Sequence, residues 1–132
     1  HIQFPPGRVR RDLEDMVAWL NTNGLGADPV VRQRMAELAV QVMETEILGL
    51  KVLEAMVKGR NATVDAAMNK IMHTTTCQAI ARAVLDVGGP EALVSGGRPE
   101  LVWRQSITET IGGGTSEIMR GVVSRQLLGL GS

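Results

Sequence analysis

Two long stretches with apolar residues at helical spacing, each closed by glycine, constrain the fold of this chain more than any other feature. From Asp28 to Lys58, Val31, Met35, Leu38, Val42, Gly49, Leu53 and Met56 follow the 3.6-residue period, with a weak point at Thr45. Asp28-Pro29 opens the stretch, because a carboxylate caps free N–H groups and proline is preorganised for the first helical position. Gly59 supplies the stop. The second stretch, rich in Ala and Met, begins near Thr63 and runs to Val87, where Gly88-Gly89-Pro90 ends it sharply. Two long helices joined by a short loop pack antiparallel, as in an up-and-down bundle.

Shorter helices complete the pattern. Leu13, Met16, Val17 and Leu20 share one face of a helix over Arg8 to Leu20, which Asn21-Thr22-Asn23-Gly24 ends. Gly96-Gly97-Arg98-Pro99 precedes a short helix around Leu101 to Thr108. After Gly112-Gly113-Gly114, Thr115 or Ser116 caps a last helix with Ile118, Val122 and Leu128 on a rough stripe, ending at Gly129. No segment alternates like a strand, and no hairpin signal is present. The fold expected is all-α, an antiparallel up-and-down helical bundle. Residues 1–27 read as an N-terminal helix and linker, the end of a preceding helix, and residues 28–132 as the bundle domain.

Composition narrows the function classes. With two Trp, one Phe and no Tyr, the core must be aliphatic, and seven Met serve as adaptable filler. Fourteen basic and fourteen acidic residues give zero formal charge, which removes the electrostatic footprint of a dedicated nucleic-acid binder. The single cysteine, Cys77, forms no internal disulfide and fits a reducing compartment. No apolar run approaches the roughly 20 residues a membrane span requires. The first seven residues, ending in Pro5-Pro6-Gly7, lack the basic-then-apolar order of a signal peptide. A cytoplasmic location is expected.

Chemistry is best concentrated at Ile111 to Arg120. Three glycines allow a tight turn and close approach, and hydroxyl residues then open a helix whose free N–H groups carry positive potential. Glu117 in the first turn argues against a bare phosphate landing there. On spacing alone, a glycine linker and helix cap is the leading reading. Gly88-Gly89 is a second close-approach point. His1 and His73 have no ligand partner at metal spacing in this reading, so no metal site is expected. Cys77 reads as a small buried residue, and His73 as a partly buried polar one. Asp12, Glu14 and Asp15 could include a catalytic carboxylate, although a solvated helix face is the default.

The order of motifs resembles the C-terminal domain of acyl-CoA dehydrogenases. Gly113-Gly114-Thr115-Ser116-Glu117-Ile118-Met119-Arg120, followed by Val122 to Leu130, is similar to the family's C-terminal signature. Asp28 to Leu38 resembles the opening of its first long C-terminal helix, Gly88-Gly89 its glycine loop, and Arg104 its arginine ahead of that signature. The resemblance covers residues 28 to 130.

That resemblance implies FAD as cofactor and an acyl-CoA thioester as substrate, oxidised at Cα–Cβ, within β-oxidation or related lipid metabolism. It implies N-terminal and middle domains elsewhere in the full-length protein, and a homo- or hetero-oligomer, dimer or tetramer. Leu85, Asp86, Val87, Gly88 and Gly89 would line the adenosine diphosphate portion given to a neighbouring subunit. Thr115, Ser116 and Glu117 would meet the cofactor of their own subunit. Many members carry the base, a glutamate, where this chain has Gly113, which cannot accept a proton. No catalytic residue is therefore assigned, the isolated chain is expected to be inactive, and the base is expected upstream of His1. The alternative is a non-catalytic structural subunit of a hetero-oligomeric enzyme. A third reading is a free-standing helical module with a coincidental glycine motif. Self-association is expected through Ala62, Ala66, Ala67, Met68, Met72 and Ala79 on the second long helix.

Overall fold

The computed structural model describes residues 4–131, so His1 and the start of the opening segment lie outside the described residues. Five α-helices follow in order: α1 (Arg8–Thr22), α2 (Pro29–Val57), α3 (Thr63–Gly88), α4 (Arg98–Glu109) and α5 (Ser116–Gln126). A short 3-10 helix, Gly89–Leu93, follows α3 directly. Among the described residues there is no strand, as expected. No helix is long and apolar enough to cross a membrane among those residues. The Asp28 carboxylate caps α2 by accepting from the Val30 and Val31 amides at 2.7 and 3.3 Å.

Helix α3 is the hub, packed against all four other helices and the 3-10 turn. The core runs from Val9, Leu13, Met16 and Leu20 on α1, through α2, to Ile80, Ala81 and Val84 on α3 and Val102 on α4. The apolar face of α1 thus shares one core with α2–α4. Burial of these aliphatic surfaces is the main stabilising contribution.

The buried face of α2 departs from the expected 3.6 period. Its inward residues are Val31, Met35, Leu38, Val42, Thr45, Gly49 and Val52, in alternating steps of four and three. That is a heptad spacing of 3.5, the geometry of helices that coil shallowly around one another. A 3.6-residue count drifts off this seam towards its end. Val52 and Ala55 are therefore the buried pair, Leu53 is half-buried, and Met56 is exposed. Thr45 is no weak point. Its hydroxyl donates to the Gln41 carbonyl at 2.8 Å and lies 3.2 Å from the Thr76 hydroxyl, so its polar atom is satisfied within the core. Gly49 is required by close approach, since a Cβ there would sit 2.8 Å from the Pro6 ring.

Two further expectations shift. On α5, Met119, Val122 and Val123 are the partly covered large apolar residues, while Ile118 is exposed and Leu128 lies beyond the helix end at Gln126. On α3, Ala67 is buried in this chain's own core and cannot serve an interface. The clearest unpartnered apolar stripe is on α2 instead: Val40, Met43, Ile47 and Leu50, each more than half exposed.

Candidate functional site

The α4–α5 loop begins where Thr110 leaves α4. Lys70, buried on α3, donates to the Thr110 carbonyl at 2.9 Å and ties the start of the loop to the hub helix. Burial holds the Lys70 ammonium below its usual range, with Glu117 acting in the opposite sense. Gly113 and Gly114 then adopt φ of 72° and 99°, the left-handed region that favours glycine. The Thr115 hydroxyl accepts from the Ile118 amide at 3.4 Å and caps α5. Ser116 is half-covered and Glu117 is exposed. The Glu117 backbone N–H and the Thr115 hydroxyl hold the Glu117 carboxyl below the usual range, so it is ionised at neutral pH.

Beneath the loop lies a cavity of about 500 Å³ between α2, α3 and α5. Gly113 stands in its wall with Lys70, Met119, Val122, Ala66 and Phe4, and no Asp, Glu or His among the described residues lines it. The three carboxylates weighed from sequence are not brought there. Asp12 and Asp15 both bind Arg98, at 2.8 and 2.7 Å, and Glu14 is exposed on α1. Arg104 is also turned to solvent, 3.1 Å from Glu100.

The other glycine point closes α3. A Cβ at Gly88 would lie 2.6 Å from the Trp19 ring and 2.9 Å from the Ala92 methyl, so glycine there is a packing requirement. Gly89, at φ 56°, has open space on its side-chain side. Its N–H donates to the Leu85 carbonyl. Leu85 and Val87 are half-buried, and the exposed Asp86 pairs with Arg34 at 2.7 Å. The two glycine points lie at opposite ends of α3, roughly 27 Å apart at about 1.5 Å per residue from Lys70 to Gly88.

A third cluster lies inside the bundle, around Cys77, which is buried as expected, and His73. The two are four residues apart on α3, hence on one helix face, and Glu109 at the end of α4 completes a trio whose ligand atoms lie within 4.8 Å of one another. His73 is fully buried, not partly. Burial lowers its imidazole to about 4, helped by the Arg8 charge, and burial pushes the Cys77 thiol up to about 12. Burial also raises the Glu109 carboxyl, although Arg8 pairs with it. The His–Cys spacing was legible in the sequence; the approach of Glu109 was not. Lys70 was also missed, and its only signal was a lysine in phase with the buried Ala67 and Thr74.

Comparison with known proteins gives a consistent result. The family described as acyl-CoA dehydrogenase, C-terminal domain, matches residues 4–128, which extends beyond the resemblance at 28 to 130 and includes α1. "Probable acyl-CoA dehydrogenase YdiO" of Escherichia coli K12 is 26% identical over 104 residues, 79% of this chain and 27% of that protein. Among solved structures, the Tcur3481-Tcur3483 steroid ACAD superposes with a TM-score of 0.83 and 29% identity, over 96% of this chain and 35% of that one. The ChsE4-ChsE5 complex of Mycobacterium tuberculosis, at TM-score 0.79 and 20% identity over 96% of this chain and 36% of that one, shares the fold. The chain thus spans about a third of the length of these solved relatives. It belongs to the acyl-CoA dehydrogenase family, as its C-terminal helical domain.

Proposed function

We propose that this chain is the C-terminal part of an FAD-dependent acyl-CoA dehydrogenase whose proton-abstracting carboxylate comes from outside these residues. The observation that carries the reading is the cavity beside the glycine loop, walled by Gly113 and lacking any acidic side chain. Removal of an α proton needs a base within hydrogen-bond reach, and Gly113 has no side chain to accept one. The bound flavin would supply the hydride acceptor for Cβ.

The residues present suit a dinucleotide held between copies. Gly89 offers bare backbone at one end of α3, where Leu85 to Gly89 would receive the adenosine diphosphate portion of a neighbour's cofactor. Gly88 would act there as the spacer that lets Trp19 pack beneath. At the other end of the domain, Thr115 and Ser116 would meet their own subunit's cofactor at the positive end of α5. Ionised Glu117 suits hydroxyl or N–H groups of the cofactor better than its phosphates. The separation of the two ends along α3 is why association of copies is part of this reading. The exposed stripe Val40, Met43, Ile47 and Leu50, in heptad register, is the surface best suited to that association. We place the assembled enzyme in the cytoplasm, with the N-terminal and middle domains of the full-length protein completing the acyl-CoA pocket.

The same acid-free cavity favours a second reading, a non-catalytic subunit paired with a different chain that carries the working site. The likeness to a steroid ACAD named for two components supports it, and a steroid-type acyl thioester is then the substrate class to try first. A free-standing module with a coincidental glycine motif is set aside by the family match over 4–128.

The test is purification of the full-length protein with any co-purifying chain, followed by anaerobic addition of acyl-CoA thioesters. The first reading expects bound FAD that a homo-oligomer reduces, with loss of bleaching when an upstream carboxylate is replaced. A hetero-oligomer that bleaches only as a complex supports the second. Flavin-free protein from every preparation would defeat both.

A further inference from the structure

We propose that His73, Cys77 and Glu109 form a binding site for a thiolate-accepting divalent cation of the Zn²⁺ class, which would pin α3 to the end of α4 just ahead of the glycine loop. The inference stands independently of the flavin reading.

Three observations converge. The donors are an imidazole nitrogen, a sulfur and a carboxylate oxygen, the mixture that Zn²⁺ favours, and all lie within 4.8 Å of one another. Bonds to Zn²⁺ of about 2.0–2.3 Å in tetrahedral array set donors roughly 3.3–3.8 Å apart, so closure needs shifts on the order of 1 Å. His73 Nε2 and Glu109 Oε2 already stand 3.9 Å apart. Both atoms are buried, and neither has a hydrogen-bond partner among the described residues. Buried polar atoms are seldom left unpaired, so a group between them is called for. His73 itself is 1% exposed and aims this nitrogen into the cluster, while its ring packs against Phe4 at 5.0 Å.

The surroundings complete the argument. Arg8 holds the other Glu109 oxygen, Oε1, which would orient Oε2 in the manner of an outer-shell partner. Arg8 is a cation near the site, but Glu109 and Asp12 also face Cys77, and binding would release the thiol proton and add a third negative charge. Glu109, Asp12 and the thiolate then outnumber Arg8 and Arg98, which binds Asp12, so the protein groups are net negative towards an incoming dication. A water, or a direct His73–Glu109 hydrogen bond, would satisfy two of the three groups and leave Cys77 unused, which gives the test its edge. Glu109 is the last residue of α4, and Thr110, held by Lys70, comes next, so the ion would fix the base of the loop.

The test refolds the full-length protein from chelator-treated material with Co²⁺, then titrates with Zn²⁺. The expected result is one equivalent of Co²⁺ per chain with a thiolate-to-metal charge-transfer band, displaced by Zn²⁺, and a Tm that rises with Zn²⁺. Cys77→Ala, confirmed folded by circular dichroism, should lose the band and the Tm rise. His73→Gln should weaken Co²⁺ at least tenfold while keeping a thiolate band. A wild-type protein without the band, or the same band and Zn²⁺-induced rise in folded Cys77→Ala, would overturn the proposal.

Discussion

The two glycine-bordered ends of this bundle look alike in sequence and are built differently. At the end of α3, Gly88 is fixed by rigid packing, with the Trp19 ring from α1 and the Ala92 methyl pressed against its backbone. At the start of α5, the chain is shaped by backbone conformation and hydrogen bonds: two glycines at positive φ, a Thr115 cap, and one long-range bond from Lys70. A Cβ at Gly114 would meet only the flexible tip of Met119. One end is therefore part of the core and the other rests on it. On the proposed function, an end offered to a neighbouring subunit would benefit from the first kind of construction, and a loop settling around its own subunit's cofactor from the second.

That contrast can be broken by substitution. Gly88→Ala should have the largest effect, destabilising the protein by about 2–3 kcal/mol in chemical denaturation, because overpacking against an indole outweighs the helix propensity gained. A neutral Gly88→Ala would mean that this end is not packed as described. Lys70→Met should follow at about 1–2 kcal/mol, since the Thr110 carbonyl loses its charged donor while the cost of burying an ammonium disappears. Hydrogen exchange should accelerate at Ile111 to Thr115 and stay unchanged at Leu85 to Gly89; equal acceleration at both would dissolve the distinction. Thr115→Ala should remove about 1 kcal/mol of capping, felt only within α5.

The smallest effect concerns the tie between the two ends. Asp12 on α1, the helix that carries Trp19, binds Arg98 on α4, the helix that leads into the loop. Burial raises the Asp12 carboxyl above 3.8 and outweighs the opposing pull of Arg98. The native state then holds this proton more tightly than the unfolded chain, so the Asp12 contribution is favourable in acid and declines as pH rises from about 3.8 through the raised value. Asp12→Asn should remove that slope and change stability near neutral pH by less than about 1 kcal/mol, because Asp15 still pairs with Arg98. A loss of several kcal/mol at neutral pH in Asp12→Asn would show that the ion pair itself, not the packing around it, joins the helices.

The contrast between the two ends also marks what sequence could reveal. Helix count and most limits were legible because Asp28-Pro29, Gly59, Gly88-Gly89 and Thr115 act through local backbone chemistry, whereas α5 ends at Gln126, short of the expected Gly129. The register of α2 was legible only in part: period 3.6 and period 3.5 agree from Val31 to Gly49 and diverge after it, so Leu53 and Met56 were expected where Val52 and Ala55 are buried. What needed the fold was every contact between helices. Nothing near Gly88 points to Trp19, and nothing near Cys77 points to Glu109, because those neighbours arrive from α1 and α4. Of the candidate site, the glycines and the Thr115 cap could be read directly, whereas the cavity at Gly113 and its lack of acid required α2, α3 and α5 together.

The most direct measurement is the flavin absorbance per subunit of the purified full-length protein and of two variants. Ser116→Asp adds charge at the first turn of α5, where an acid suits the helix, and Gly89→Asp adds it at the open end of α3. Thermal melts accompany both as a check of folding. Folded variants that each lose bound FAD, with the wild type yellow, are the predicted result. Full FAD occupancy in both folded variants would contradict the claim that these two helix ends together hold the cofactor.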